Sequence, residues 1–200
     1  IRTPLCGRNF EYMSEDPCLI SAMTVPYIKA LQSKDVAASV KHWLANNQED
    51  HRMSVDVTMS ERALREIYLP GFKAAITEGE AYTVMAAYNK FRGDWCPENS
   101  YLDRDILRNE FGFKGVLMTD WDAAHSTVKA ALAGLDLEMG TNIKDYNEWY
   151  FADPLMKAVK EGKVPMSVVD EKVANVLRVM MRTKVLDEKS REKGVMNTPA

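Results

Sequence analysis

The chain has 200 residues, 46% hydrophobic and 28% charged, with a formal net charge of -3. That is an ordinary globular balance, with length enough for one domain and a core. Interspersed acids and bases leave no basic stripe for nucleic acid, and no apolar run approaches the roughly 18 residues of a membrane span.

Read in chain order, residues 3–16 mix turn formers with Gly7-Arg8-Asn9-Phe10-Glu11 and predict a strand end followed by a loop. Pro17 suits a helix start, and Ile20, Met23, Tyr27, Ile28 and Leu31 recur at helical spacing after it. Residues 36–44 predict a buried strand carrying Lys41-His42 near its end, and 45–59 a long polar loop. Ser60 is a candidate N-cap for a helix whose face is Leu64, Ile67, Tyr68, Gly71 and Ala75, kinked at Pro70.

Residues 81–88 predict a second strand, ending in Tyr88-Asn89; 102–111 predict a short helix closed by Gly112. The third strand, 115–120, is an apolar run ending abruptly in Asp120-Trp121. A helix over 122–132 stops at Gly134, and 135–139 form a fourth short strand. Two helices follow, the last capped by Ser167 and lined by Val169, Val173, Val176, Leu177 and Met180. The tail after Leu186 is charged. Strand and helix alternate, which demands a parallel sheet with helices outside it.

In such an array the strand C-termini converge on one mouth, and the candidates there are Arg8, Lys41-His42, Tyr88 and Asp120-Trp121. A carboxylate beside an indole suits a sugar: one accepts hydroxyl protons, the other stacks on C–H faces. Taken alone, Asp120 reads equally as a cap for the helix after it. Lys41-His42 reads equally as a polar loop entry, Met85 and Tyr88 as strand packing, and Arg52 as a solvated or ion-paired loop residue. His51 and His125 have no metal-like partner in the sequence. Cys6 and Cys18 are free to pair, but three cysteines in no metal or disulfide pattern predict free thiols. The chain begins Ile1-Arg2-Thr3-Pro4, without a signal peptide, which leaves the compartment open.

Taken together, the motifs carry more. The order is Gly7-Arg8-Asn9-Phe10-Glu11 with Ser14-Glu15-Asp16-Pro17, then Lys41-His42-Trp43, Asn46-Asn47-Gln48-Glu49 and the stretch from Ser60 to Pro70. Tyr88-Asn89, Thr119-Asp120-Trp121 and Gly134-Leu135-Asp136-Leu137-Glu138-Met139 complete it. This series closely resembles glycoside hydrolase family 3, from about Pro4 to Leu186. The resemblance implies a (β/α)8 barrel with Asp120 as nucleophile. It implies Arg8, Lys41, His42 and Arg52 as grips on the sugar hydroxyls, Met85 and Tyr88 lining the pocket, and Trp121 in the aromatic wall. Threonine stands at position 119 where serine is commoner.

By that resemblance the activity is hydrolysis of terminal β-D-glucosyl residues with retention, with no metal or cofactor, no nucleic acid and no membrane span. Retention needs an ionised carboxylate and an acid roughly 5–5.5 Å from it. Cations such as Lys41 and Arg52 would keep Asp120 ionised. A whole barrel needs eight strands and about 250 residues, so residues 1–186 read as about half of one, with 187–200 a tail or linker. The sequence after His42 departs from the branch with a histidine acid, so the acid is expected from a downstream α/β domain. Glu49 and Glu138 are acids that nothing in the sequence places as substitutes. The alternatives are an inactive fragment, a degenerate sugar-binding module, or an aldolase-like barrel with Lys41 as Schiff base.

Overall fold

A computed structural model describes residues 1–140 and 142–187. Helix α1, Pro17–Gln32, opens as its sequence dictates: Asp16 Oδ1 accepts from the Cys18 N–H at 2.7 Å, and Pro17 occupies the first turn. Its apolar stripe is only partly used. Ile28 is buried, whereas Met23 and Tyr27 are exposed.

Strand β1 is Ser39–Trp43, β3 is Thr83–Ala86 and β6 is Val116–Met118, each shorter than its apolar run. They form one parallel sheet in the order β1-β3-β6. The register sets Lys41 against Met85, and Met85 against Met118. The expected fourth strand is reduced to one parallel bridge between Met118 and Leu137. Residues 3–16 form turns and a 3-10 turn, Asn9–Glu11, rather than a strand end.

A second small sheet was not expected. Strand β2, Asp56–Val57, lies within the polar loop and pairs in parallel with β4, Lys90–Phe91. β4 pairs antiparallel with β5, Asp94–Trp95. Two-residue strands are too short to carry any periodicity.

The short helix α2, Glu61–Ala63, is capped as predicted, with Ser60 Oγ accepting from the Ala63 N–H at 3.1 Å. A π-helical turn, Leu64–Tyr68, then runs into α3, Leu69–Thr77. Pro70 therefore sits in the first turn of α3, where its missing N–H costs little.

The next helix, Tyr101–Glu110, is π-helical throughout. The helix expected over 122–132 is the shorter α4, Val128–Ala133. Gly134 ends α4 at φ 112, the left-handed geometry a stop glycine supplies.

Helices α5, Asp153–Lys160, and α6, Met166–Arg182, close the described chain. Ser167 does not cap α6, which already begins at Met166 after Pro165. The inward face of α6 also differs from the expected stripe. Lys172 and Asn175 are buried, while Val173 and Leu177 are exposed. Lys172 Nζ donates to the Ala131 carbonyl at 2.8 Å, and Asn175 Nδ2 to Asp136 Oδ1 at 2.9 Å. Asp136 Oδ2 takes the Leu117 N–H at 2.7 Å and pairs with Arg108. This polar network thus fixes α6 to the sheet. Its apolar stripe lines an open groove of about 400 Å³ with Trp149 and Phe151.

The main core packs Trp43, Leu44, Leu64, Phe91, Leu107 and Leu117 between the sheet and helices. Burying each such side chain is worth about 1.5–3 kcal/mol. The Trp43 indole N–H donates to Asp103 Oδ1 at 2.9 Å, so its polar edge is satisfied. All three cysteines are free. No described helix is long and apolar enough to cross a membrane. The tail expected at 187–200 lies, apart from Asp187, outside the described residues.

Candidate active site

Each parallel strand delivers one polar group near its C-terminal end. His42 is the buried penultimate residue of β1, Tyr88 follows β3, and Asp120 follows β6. These three meet. His42 Nε2 lies 3.4 Å from Asp120 Oδ2, and the Tyr88 hydroxyl faces the same carboxylate. The Trp121 N–H donates to Asp120 Oδ1 at 2.8 Å. Asp120 caps no helix, because α4 starts only at Val128.

Burial pushes the Asp120 carboxyl up, but His42, the Trp121 N–H and Tyr88 outweigh it and hold the group below the usual carboxylate range. Burial and the facing Asp120 charge push the Tyr88 phenol up to about 12. Asp120 is therefore an ionised acceptor at neutral pH, with Tyr88 a protonated donor.

The cations form two clasps. Glu11 pairs with both Arg8 and Lys41, the latter at 2.6 Å. Arg52 Nη1 pairs with Glu49 Oε2 at 2.6 Å, and its guanidinium lies 4.6 Å from the centre of the Tyr88 ring. Met85 is half-buried on β3, in register with Lys41. Trp121 is 56% exposed and packs against Gly140, where an added Cβ would stand 2.2 Å from the indole Cδ1.

His51 stays outside this cluster, its side chain largely exposed beside Asp50. His125 stacks on Trp95 with ring centroids 4.0 Å apart. Glu138 is buried, with Oε2 accepting the Phe151 N–H at 2.8 Å, and burial raises its pKa.

Sequence reasoning passed over Glu11, Glu49 and Tyr12 as members of this site. The first two left a signal: each sits three residues from a cation, Arg8 or Arg52. Tyr12 left none, because its hydroxyl reaches His42 Nδ1 at 2.9 Å across thirty positions of chain.

Fold and site together define a parallel α/β domain with an ion-paired polar cluster at one end of its strands. Residues 2–179 match the Glycosyl hydrolase family 3 N terminal domain, and the chain belongs to that family. It is 50% identical over 190 residues to beta-glucosidase BoGH3A of Bacteroides ovatus, covering 91% of this chain and 25% of that protein. It is 38% identical to an exo-alpha-(1->6)-L-arabinopyranosidase of Bifidobacterium breve, covering 92% and 23%. Beta-glucosidase 3B from Thermotoga neapolitana, solved in complex with glucose, superposes with a TM-score of 0.83 at 46% identity. That match covers 90% of this chain and 26% of that one. The chain thus spans about a quarter of the length of these relatives.

Proposed function

We propose that residues 1–186 are the later part of a (β/α)8 barrel, about half its strands. In this reading they carry the nucleophile half of a retaining β-glucosidase. The carrying observation is Asp120: a carboxylate at a strand end, kept ionised by His42, the Trp121 N–H and Tyr88. Arg8, Lys41, His42 and Arg52 would hold the sugar hydroxyls, with Met85 lining the pocket and Trp121 stacking on the ring. Asp120 attacks the anomeric carbon as the aglycone oxygen leaves with a proton from a general acid. Water, deprotonated by that same group, then releases the sugar from the covalent intermediate.

The general acid comes from outside this chain, in a downstream α/β domain. Glu11 and Glu49 are poor candidates, since both are spent on ion pairs. Burial raises the Glu11 carboxyl, but Lys41 and Arg8 hold it below the usual range, whereas an acid needs a raised pKa. The preference for a glucoside rests on the Asp120-Trp121 pair and on the beta-glucosidases among the relatives.

The test is hydrolysis of an aryl β-glucoside. Residues 1–200 alone are expected to give background rates. The longer protein carrying this segment should be active, and Asp120→Asn in it should fall to background. Robust turnover by residues 1–200, abolished by Asp120→Asn, would place the acid within this chain. An active long protein indifferent to Asp120→Asn would remove the nucleophile assignment.

A further inference from the structure

We propose that Tyr12 is a positioning residue that fixes His42 in the tautomer bearing its proton on Nε2, so that the imidazole presents a permanent donor to Asp120. The inference rests on Asp120 being the reacting carboxylate. Its structural content is independent of turnover.

Hydrogen-bond direction decides the tautomer. An ionised carboxylate only accepts, a neutral imidazole has one donor and one acceptor nitrogen, and a phenol can do both. His42 is 3% exposed and lies between two groups. Its Nδ1 is 2.9 Å from the Tyr12 hydroxyl; its Nε2, which completes no hydrogen bond among the described residues, faces Asp120 Oδ2 at 3.4 Å. Asp120 needs a donor. If Nδ1 carried the proton, the Nε2 lone pair would face a negative oxygen with no hydrogen between them.

The far end of the chain sets the same direction. Asn46 Nδ2 donates to Glu49 Oε1 at 3.2 Å, which fixes the orientation of the carboxamide. The same carboxamide is a polar neighbour of the Tyr12 oxygen. Asn46 Oδ1 has no partner among the described residues, so it takes no proton from Tyr12. The phenol hydrogen, not spent on Asn46, is therefore free for His42 Nδ1. Burial pushes the Tyr12 phenol up to about 12, so that hydrogen is retained at neutral pH.

The series Asn46, Tyr12, His42, Asp120 crosses the mouth. It joins the loop after β1, the segment after the Asn9–Glu11 turn, β1 itself and the end of β6. The Tyr12 and His42 rings meet edge to face at 6.2 Å. Tyr12→Phe keeps that packing and removes only the hydroxyl.

The experiment is long-range proton–nitrogen NMR on uniformly labelled residues 1–200, with His42→Gln identifying the His42 signals among the three histidines. In the unmutated chain near neutral pH, His42 Nε2 should resonate as a pyrrole-type nitrogen and Nδ1 as a pyridine-type one. In Tyr12→Phe the two shifts should move toward each other, a loss of tautomer preference of up to about tenfold for one neutral hydrogen bond. An Nδ1–H tautomer or a charged ring in the unmutated chain overturns the proposal, and needs no folded variant. Unchanged shifts in folded Tyr12→Phe overturn it as well. Hydrolysis is read separately, so an inactive long protein with the Nε2–H signature would remove the glucosidase reading and leave this one standing.

Discussion

At the residue scale, two glycines separate backbone strain from steric contact. Gly93 has φ 93 with nothing within 4 Å of an added Cβ, whereas Gly140 has φ 43 and an indole where the Cβ would go. Gly93→Ala should cost only the left-handed penalty, about 1–2 kcal/mol. Gly140→Ala must also displace Trp121, for a total of about 2–4 kcal/mol. Denaturant unfolding of the two variants measures the difference. The Gly140 variant alone should shift tryptophan emission, because Trp121 leaves its backbone shelf. Equal costs with unchanged emission would show that Trp121 does not depend on that glycine.

At the element scale, α6 tests what burial does to a charge. Its Lys172 is pulled down to about 8 by burial, against an unfolded value of about 10.4. Between those values the unfolded chain binds more protons, so stability rises with pH, by at most about 3 kcal/mol. Melting temperatures at pH 8 and pH 10 should therefore climb for the native sequence relative to Lys172→Met. A constant difference across that range would show that Lys172 is not desolvated. This helix also marks where sequence reading fails. The stripe of Val173 and Leu177 was legible as amphipathic, yet nothing local told which face turns inward. That was set by Asp136 and Ala131, whose polar atoms lie some forty positions away in chain. β3 and β6 were legible because each buries an apolar run, and β1 because apolar residues flank its Lys41-His42 pair. β2, β4 and β5 were not, since two residues make no pattern. Asp120, His42 and Tyr88 were legible as strand-end groups. Their meeting depended on the fold, and Tyr12 on a contact that no spacing encodes.

At the scale of the whole molecule, the parallel sheet ends openly on both sides. Among the described residues β1 pairs only with β3, and Leu137 bridges only to Met118. Exposed apolar groups flank the open structure: Leu19, Met23 and Tyr27 on α1, Val173 and Leu177 on α6, and Leu137 itself. Unpaired strand edges beside apolar surface favour association with another chain. Surface charge opposes this weakly, because the net value of -3 is small. Residues 1–200 in isolation should therefore self-associate with rising concentration, seen as a growing weight-average mass in sedimentation equilibrium and as binding of an apolar dye. Charged replacements at two of the open positions, Leu19→Lys and Leu177→Glu, should reduce both signals while leaving the His42–Asp120 cluster intact, since neither residue lines the cavity beside His42. A monomer with a sharp melting transition and no dye binding would mean that these surfaces are stable in water. The half-barrel reading would then lose its main physical consequence.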